Sequence, residues 1–258
     1  MTINVISDLH CEYNFKRNEV VWFDFHPEKL KEADYLIVAG DTGYAPTEHL
    51  IIKELKRLTE GKFKAVLTIM GNHSYWVPYS EYNDETQYIS DAYFLSMIAD
   101  DKIDVVDGNV AIIGTTLWTN KTSYAELRNM NDYNYIPNFT SEVKKKRFEE
   151  ESAWLREKYN QYRAEGKKIV VVTHHNPRSP DILPENSREH YDVASAYWVF
   201  EGLEDIKPDV WICGHIHEDL DTVDGGTRFF RHPIGYRFGY YTLWNKEKES
   251  WYDTIIEV

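Results

Sequence analysis

The sequence predicts an α/β fold, and three observations predict it. Short β-branched apolar runs alternate with a helical stripe through the first half of the chain. The polar residues that end these runs recur about every 30 residues, the length of one strand–helix–strand unit. The second half instead carries hairpin signals and closely spaced strand-like runs, so antiparallel pairs should join the parallel ones.

In chain order, Ile3–Ser7 is the first apolar run, Tyr35–Ala39 the second and Ala65–Met70 the third. Bounded by Gly, Asp or Asn, such runs suit buried parallel strands. Between the last two, Pro46–Thr59 puts Leu50, Ile51, Leu55 and Leu58 on one helical face. Pro46 suits a first turn and Gly61 a helix end. Val105–Val106 and Ala111–Thr115 flank Asp107-Gly108-Asn109, a hairpin turn. Ser141 is the expected cap of a long helix reaching about Glu165. Its apolar stripe is Phe148, Leu155, Tyr159 and Tyr162, and Gly166 stops it. Ile169–Thr173 and Val210–Cys213 are two more strands. Thr227–Arg231, Tyr240–Trp244 and Trp251–Val258 suggest antiparallel strands, with a second hairpin at Asp224-Gly225-Gly226. Val77–Tyr93 and Asn120–Thr140 lack a clear period. They are either lids and rims of a functional site or surface insertions packed by their own tyrosines.

Hydrophobic residues make up 42% of the 258, enough for a sizeable core, which excludes global disorder. No linker, repeat or low-complexity tract divides the chain, so residues 1–258 are expected to form one domain. No apolar run is long enough to span a membrane, and the N-terminus has no secretory pattern. Cys11 and Cys213 cannot make a disulfide framework; they read as free thiols of a reducing, cytoplasmic compartment. The net charge of −14 disfavours general nucleic-acid binding. It leaves room for a small phosphorylated substrate, because a metal inverts the local field.

Five patterns fall at strand ends: Asp8-Leu9-His10, Gly40-Asp41, Gly71-Asn72-His73, His174-His175 and Gly214-His215-Ile216-His217. Six of the ten histidines lie within them. Imidazole and carboxylate are ligands for borderline and hard divalent ions. In extended backbone, residues i and i+2 point the same way, so Asp8 with His10, and His215 with His217, can each converge on one ion. Asp41 has two oxygens and can bridge two ions. The glycines permit sharp turns and close backbone approach. Any one pattern is weak, but the ordered set of five is hard to ascribe to chance.

That ordered set, D-x-H, G-D, G-N-H, a strand-end His and G-H-x-H, resembles the signature of the calcineurin-like metallophosphoesterase superfamily. The likeness runs from Asp8 to His217. Gly114–Thr119, Met130–Tyr133, Val172–Pro177 and Pro233–Tyr236 further resemble a small bacterial and phage-type phosphohydrolase branch. The resemblance implies a four-layer α/β/β/α sandwich of two mixed β-sheets. It also implies two metal ions, of Mn, Fe or Zn. Asp8, His10 and His217 would bind the first and Asn72, His174 and His215 the second, with Asp41 bridging both. The implied reaction is phosphate ester hydrolysis, of monoester or diester. A water or hydroxide between the ions attacks phosphorus in line, and His73 assists the leaving group. Two alternatives are a non-catalytic binding scaffold on this fold and a nuclease acting on nucleic-acid ends.

The chain departs from the pattern at Ser74, where the family usually has Asp or Glu, so a more distant acid such as Asp132 is a candidate partner for His73. Of the adjacent histidines, His174 is taken as the ligand and His175 as an outer or packing residue. Arg128, Arg178 and Arg237 are candidate phosphate readers, against ordinary surface roles. Tyr124, Tyr133 and Tyr135 are candidate stacking residues, against simple packing. Lys144–Arg147 reads as a solvated helix face.

Overall fold

The computed structural model of the chain describes residues 1–11, 15–16, 19–20, 25–76, 102–120, 130–177, 199–235, 252 and 254–258. The first sheet holds β1 (Thr2–Ile6), β2 (Tyr35–Ala39) and β3 (Ala65–Ile69), all parallel. Helix α1 (Ala45–Leu58) connects β2 to β3. The second sheet begins with the hairpin β4 (Ile103–Asp107) and β5 (Val110–Thr115), turning at Gly108-Asn109 as the sequence predicts. A one-turn helix α2 (Asp132–Tyr135) and the long α3 (Ser141–Ala164) follow. Then come β6 (Lys168–Thr173), β7 (Val210–Ile212) and the hairpin β8 (Leu220–Asp224) and β9 (Thr227–Arg231). The last strand, β10 (Ile255–Glu257), returns to the first sheet beside β1.

The sheet orders are β10-β1-β2-β3 and β8-β9-β7-β6-β5-β4. Each carries antiparallel strands only at its margins; the interior pairs are parallel. Thr227–Arg231 is thus antiparallel to β8 but parallel to β7, and within Trp251–Val258 the segment Ile255–Glu257 is antiparallel to β1. The suggested strand Tyr240–Trp244 lies outside the described residues.

Strand parity builds the layers. Ile3, Val5, Ile37 and Ala39 face Ile112, Val170, Val172 and Ile212 in one core between the sheets. Their neighbours point outward: Ile6, Leu36 and Val38 pack under Ile51 and Leu55 of α1. On the far side, Ile113, Ile169 and Val171 pack under Phe148, Leu155 and Tyr162 of α3. Both sheets are therefore buried on both faces, giving the order helix, sheet, sheet, helix expected from the resemblance.

Two local expectations are corrected. The cap of α3 is Thr140, whose hydroxyl accepts from the Val143 N–H at 3.2 Å, not Ser141. The Lys144–Arg147 run is not a uniformly solvated face. Lys145 and Lys146 are exposed, but Lys144 and Arg147 are buried. The Lys144 ammonium donates to Thr119 Oγ1 at 3.1 Å, and Arg147 pairs with Glu151 at 2.9 Å. At helical spacing, Lys144, Phe148, Glu151 and Leu155 share one face, so half of the run turns inward.

Candidate metal centre

In-register pairing brings five strand ends together. Ile6 lies beside Val38, Ala39 beside Ile69, and Val172 beside Ile212. The residues that follow these ends are Asp8 and His10, Asp41, Asn72 and His73, His174, and His215 and His217. Backbone bonds tie the loops to one another. The Asp8 N–H donates to the Gly40 carbonyl, His10 N–H to Asp41, and Gly214 N–H to His174, each at 3.0 Å. The two sheets are joined at this edge where Ile234 N–H donates to the Ser7 carbonyl at 2.9 Å.

The backbone there is left-handed. Asp8, His10, Asp41 and His215 have φ of 54°, 45°, 51° and 66°. Each such non-glycine residue costs roughly 1–2 kcal/mol. Asp8 and His10 therefore converge by tight turning, not by the strand alternation that the spacing suggested. Two glycines are required by contact. A Cβ on Gly40, itself at φ 86°, would fall 2.4 Å from His174 Nδ1, and one on Gly71 would fall 2.1 Å from Asp41 Oδ1.

The side chains form three overlapping groups, one of which, His10, Asp41 and His73, links the other two. One ligand atom each from Asp8, His10 and His217 lie within 4.8 Å of one another, and so do those of Asp41, His174 and His215. His217 Nε2 is 3.3 Å from Asp8 Oδ1 and 3.2 Å from His10 Nε2. Asp41 Oδ2 faces both groups, 3.3 Å from His174 Nε2 and 3.8 Å from His10 Nε2. Its Oδ1 accepts from the His73 backbone N–H at 2.9 Å. His215 N–H donates to the Asp8 carboxylate at 3.0 Å.

One contact needs a proton or a cation between its two atoms. His174 Nδ1 is 2.9 Å from the Ala39 carbonyl, which only accepts, so Nδ1 carries the proton. Its Nε2 then looks at Asn72 Oδ1 across 3.0 Å. Asn72 is oriented from behind, because its Nδ2 donates to Asp132 Oδ1 at 2.9 Å. Such an arrangement needs positive charge between the two atoms, either the ring's own second proton or a metal ion. The mixed imidazole, carboxylate and amide donors fit Mn, Fe or Zn.

The electrostatics agree. Burial disfavours the His174 imidazolium, yet the carboxylates of Asp41 and Asp8 raise its pKa to about 9. Burial would raise the Asp41 carboxyl, but His174, His73 and His10 hold it well below the usual range. Asp8 behaves likewise: burial is outweighed by the hydrogen bond and charge of His217. His215 is pushed down to about 3, by burial and then by the charge on His174.

All eight site residues expected from the sequence are brought together, His73 included. Its ring stacks on Trp76 at 3.6 Å and lies 4.5 Å from His10. Asp132 lies close enough for its carboxylate to interact electrostatically with His73, and it has a second role. Its Oδ1 accepts from Asn72 and, at 2.6 Å, from Trp76 Nε1. It thus fixes a candidate ligand and the platform beneath His73. His175 is buried with both ring nitrogens lacking a hydrogen-bond partner, and packs against His215 and Trp118. Tyr135 packs on Trp76 and Tyr133 on Phe139. Arg128, Arg178, Arg237 and Tyr124 lie outside the described residues. Cys11 and Cys213 are both buried thiols.

One group escaped the sequence argument. The Ser74 hydroxyl donates to Glu48 Oε1 of α1 at 2.8 Å and accepts from the Gly71 N–H at 3.1 Å. The missed signal was periodicity: Glu48 shares a helical face with Ile51 and Leu55, so a carboxylate stands on an apolar stripe.

Residues 1–219 match the family model of the calcineurin-like phosphoesterases. The chain belongs to that family, and so to the metal-dependent phosphoester hydrolases. Among solved structures, it resembles the phosphopantetheinyl hydrolase of Mycobacterium tuberculosis at 19% identity and a TM-score of 0.57, over 93% of each chain. A dimetal phosphatase from Danio rerio is 12% identical, with a TM-score of 0.47 over 89% of this chain and 86% of that one. The first likeness is one of fold. No curated protein matches the chain in sequence. Among the described residues no helix is long and apolar enough to cross a membrane.

Proposed function

We propose that the chain hydrolyses a small phosphorylated ester at a two-metal site. Asp8, His10 and His217 would hold one ion and Asn72, His174 and His215 the other, with Asp41 serving both. The observation that carries this reading is the convergence of the imidazole and carboxylate atoms of Asp8, His10 and His217 and of Asp41, His174 and His215, each set within 4.8 Å, with His174 Nε2 and Asn72 Oδ1 aimed into the same space. Two bound divalent ions supply Lewis-acid charge and a water acidified to near-neutral pKa.

The chain's own residues supply the rest. His174 keeps its Nε2 lone pair directed inward because its Nδ1 proton is held by the Ala39 carbonyl. Asp41 uses Oδ1 on the His73 N–H, which leaves Oδ2 turned toward His174 and His10. His73 sits beside His10 with its ring held flat on Trp76, so rotation of the imidazole is restricted. From there a protonated ring nitrogen delivers its proton to the leaving ester oxygen.

The test is to strip the protein of metal, restore Mn²⁺, and assay p-nitrophenyl phosphate beside bis-p-nitrophenyl phosphate. Turnover that needs metal and disappears in Asp41→Asn is expected, and the preferred ester separates monoesterase from diesterase. His73→Ala should lose about 10²–10⁴-fold in rate with metal content intact. A loss under tenfold would remove the acid role, and a parent protein that binds no metal would refute the site.

A further inference from the structure

We propose that Glu48 is a positioning residue for the Gly71–His73 loop and acts on it through the Ser74 hydroxyl. The inference rests on the reading above that this loop presents Asn72 and His73.

Three observations carry it. First, both side chains are buried, Ser74 fully and Glu48 to 2% exposure. Burying a carboxylate without compensation is costly, so its hydrogen bonds define where it sits. Second, the Ser74 hydroxyl has a single proton, and that proton goes to Glu48 Oε1 at 2.8 Å. A lone pair is then directed at the Gly71 N–H, 3.1 Å away. The carboxylate therefore sets the rotamer of a hydroxyl that in turn holds the loop backbone. Third, the loop is confined on its other side. Gly71 packs so closely on Asp41 that a Cβ there would sit 2.1 Å from Oδ1, and the His73 N–H is bonded to that same oxygen. With Asp41 in front and Ser74 behind, the Gly71–His73 backbone has one place to lie. Glu48 is delivered there by the first turns of α1, whose N-terminal dipole favours negative charge. A carboxylate thus reaches residue 74 through space, although the sequence has serine at that position.

The test is a double-mutant cycle over Glu48→Ala, Ser74→Ala and the pair, with Glu48→Gln as the conservative variant. Mn²⁺ affinity is read by calorimetry on metal-stripped protein, kcat and KM on p-nitrophenyl phosphate, and folding by thermal melts. Each single Ala variant should lose about tenfold in metal affinity. Each should also lose kcat more than it raises KM. The pair should lose no more than either single, because the two groups act as one unit. Glu48→Gln still offers an oxygen to the hydroxyl and should recover most of the loss; being nearly isosteric, it also keeps the test open if Glu48→Ala does not fold. A folded Glu48→Ala or Ser74→Ala protein that binds Mn²⁺ within twofold of the parent, a Glu48→Gln protein that loses as much as the Ala variants, or losses that add fully in the pair would overturn the proposal. A parent that binds no metal would instead overturn the site reading on which it rests.

Discussion

Removing the Asp132 carboxylate should loosen the metal site without touching a ligand. In the native chain Asp132 is 2% exposed, and one of its oxygens accepts from Asn72 Nδ2 at 2.9 Å and from Trp76 Nε1 at 2.6 Å. Burial pushes its carboxyl pKa upward, against those two hydrogen bonds. A hydrogen bond to a charged group is worth about 1.5–3 kcal/mol, so the Asn72 bond alone corresponds to roughly 10- to 150-fold in affinity. That matches the roughly 10–100-fold seen when partners behind metal ligands are lost. The physical route is rotation of the Asn72 amide. Once Nδ2 has no partner behind it, the amide can turn and donate to His174 Nε2, which satisfies both residues and removes two metal-facing lone pairs. Asp132→Asn keeps a carbonyl in place and should cost about tenfold or less. The assay is calorimetric titration of metal-stripped Asp132→Ala and Asp132→Asn with Mn²⁺, beside a thermal melt. A folded Asp132→Ala protein that binds both ions within twofold of the parent would refute the reasoning.

Other consequences are as direct. Metal removal should lower the melting temperature and Mn²⁺ should restore it, since saturation at 100 Kd stabilises by about 2.7 kcal/mol; in Asp41→Asn the Mn²⁺-induced rise should shrink, and an unchanged rise would exclude Asp41 as a shared ligand. Gly40→Ala combines left-handed strain of about 1–2 kcal/mol with overpacking of about 1–3 kcal/mol against His174, so urea unfolding should register a loss of about 2–5 kcal/mol, and a loss under about 1 kcal/mol contradicts the crowding. His175 is held neutral by burial, then by the charges of His215 and His174, with a pKa well below the ordinary 6.5. Its contribution is present above pH 6.5 and is lost as pH falls, because the unfolded chain takes up the proton first. His175→Phe should therefore retain metal binding and, between about pH 6 and 5, approach a slope up to about 1.4 kcal/mol per pH unit shallower than the parent; parallel curves, or lost metal binding, count against this assignment.

Much of the site was legible because its signals are local. Ile3–Ser7, Tyr35–Ala39 and Ala65–Met70 each read as strands, and the ligand-type residues sit within a few positions of their ends. A strand end followed by Gly-Asp or Gly-Asn-His needs no distant information to be recognised. The hairpin at Gly108-Asn109 was readable for the same reason. The hidden parts were those whose meaning depends on what lies across the fold. Lys144 and Arg147 read as solvent-facing within a charged run, yet Thr119, Glu151 and Tyr75 meet them in the interior. The strand pairing of Ile255–Glu257 with Thr2–Asn4 joins opposite ends of the chain, and no local pattern specifies its partner.

By itself, then, the sequence determined the α/β class, the order of the strand-end motifs and the residue types offered to a metal, because periodicity and turn chemistry are properties of neighbours in the chain. Only the tertiary structure decided how those residues are aimed. The left-handed backbone at Asp8, His10, Asp41 and His215 persists because surrounding loops pin it. Asp132 and Glu48 reach Asn72 and Ser74 across 60 and 26 residues of chain, respectively. Contacts of that separation form only when elements distant in the chain pack together, and so no local stretch of sequence encodes them.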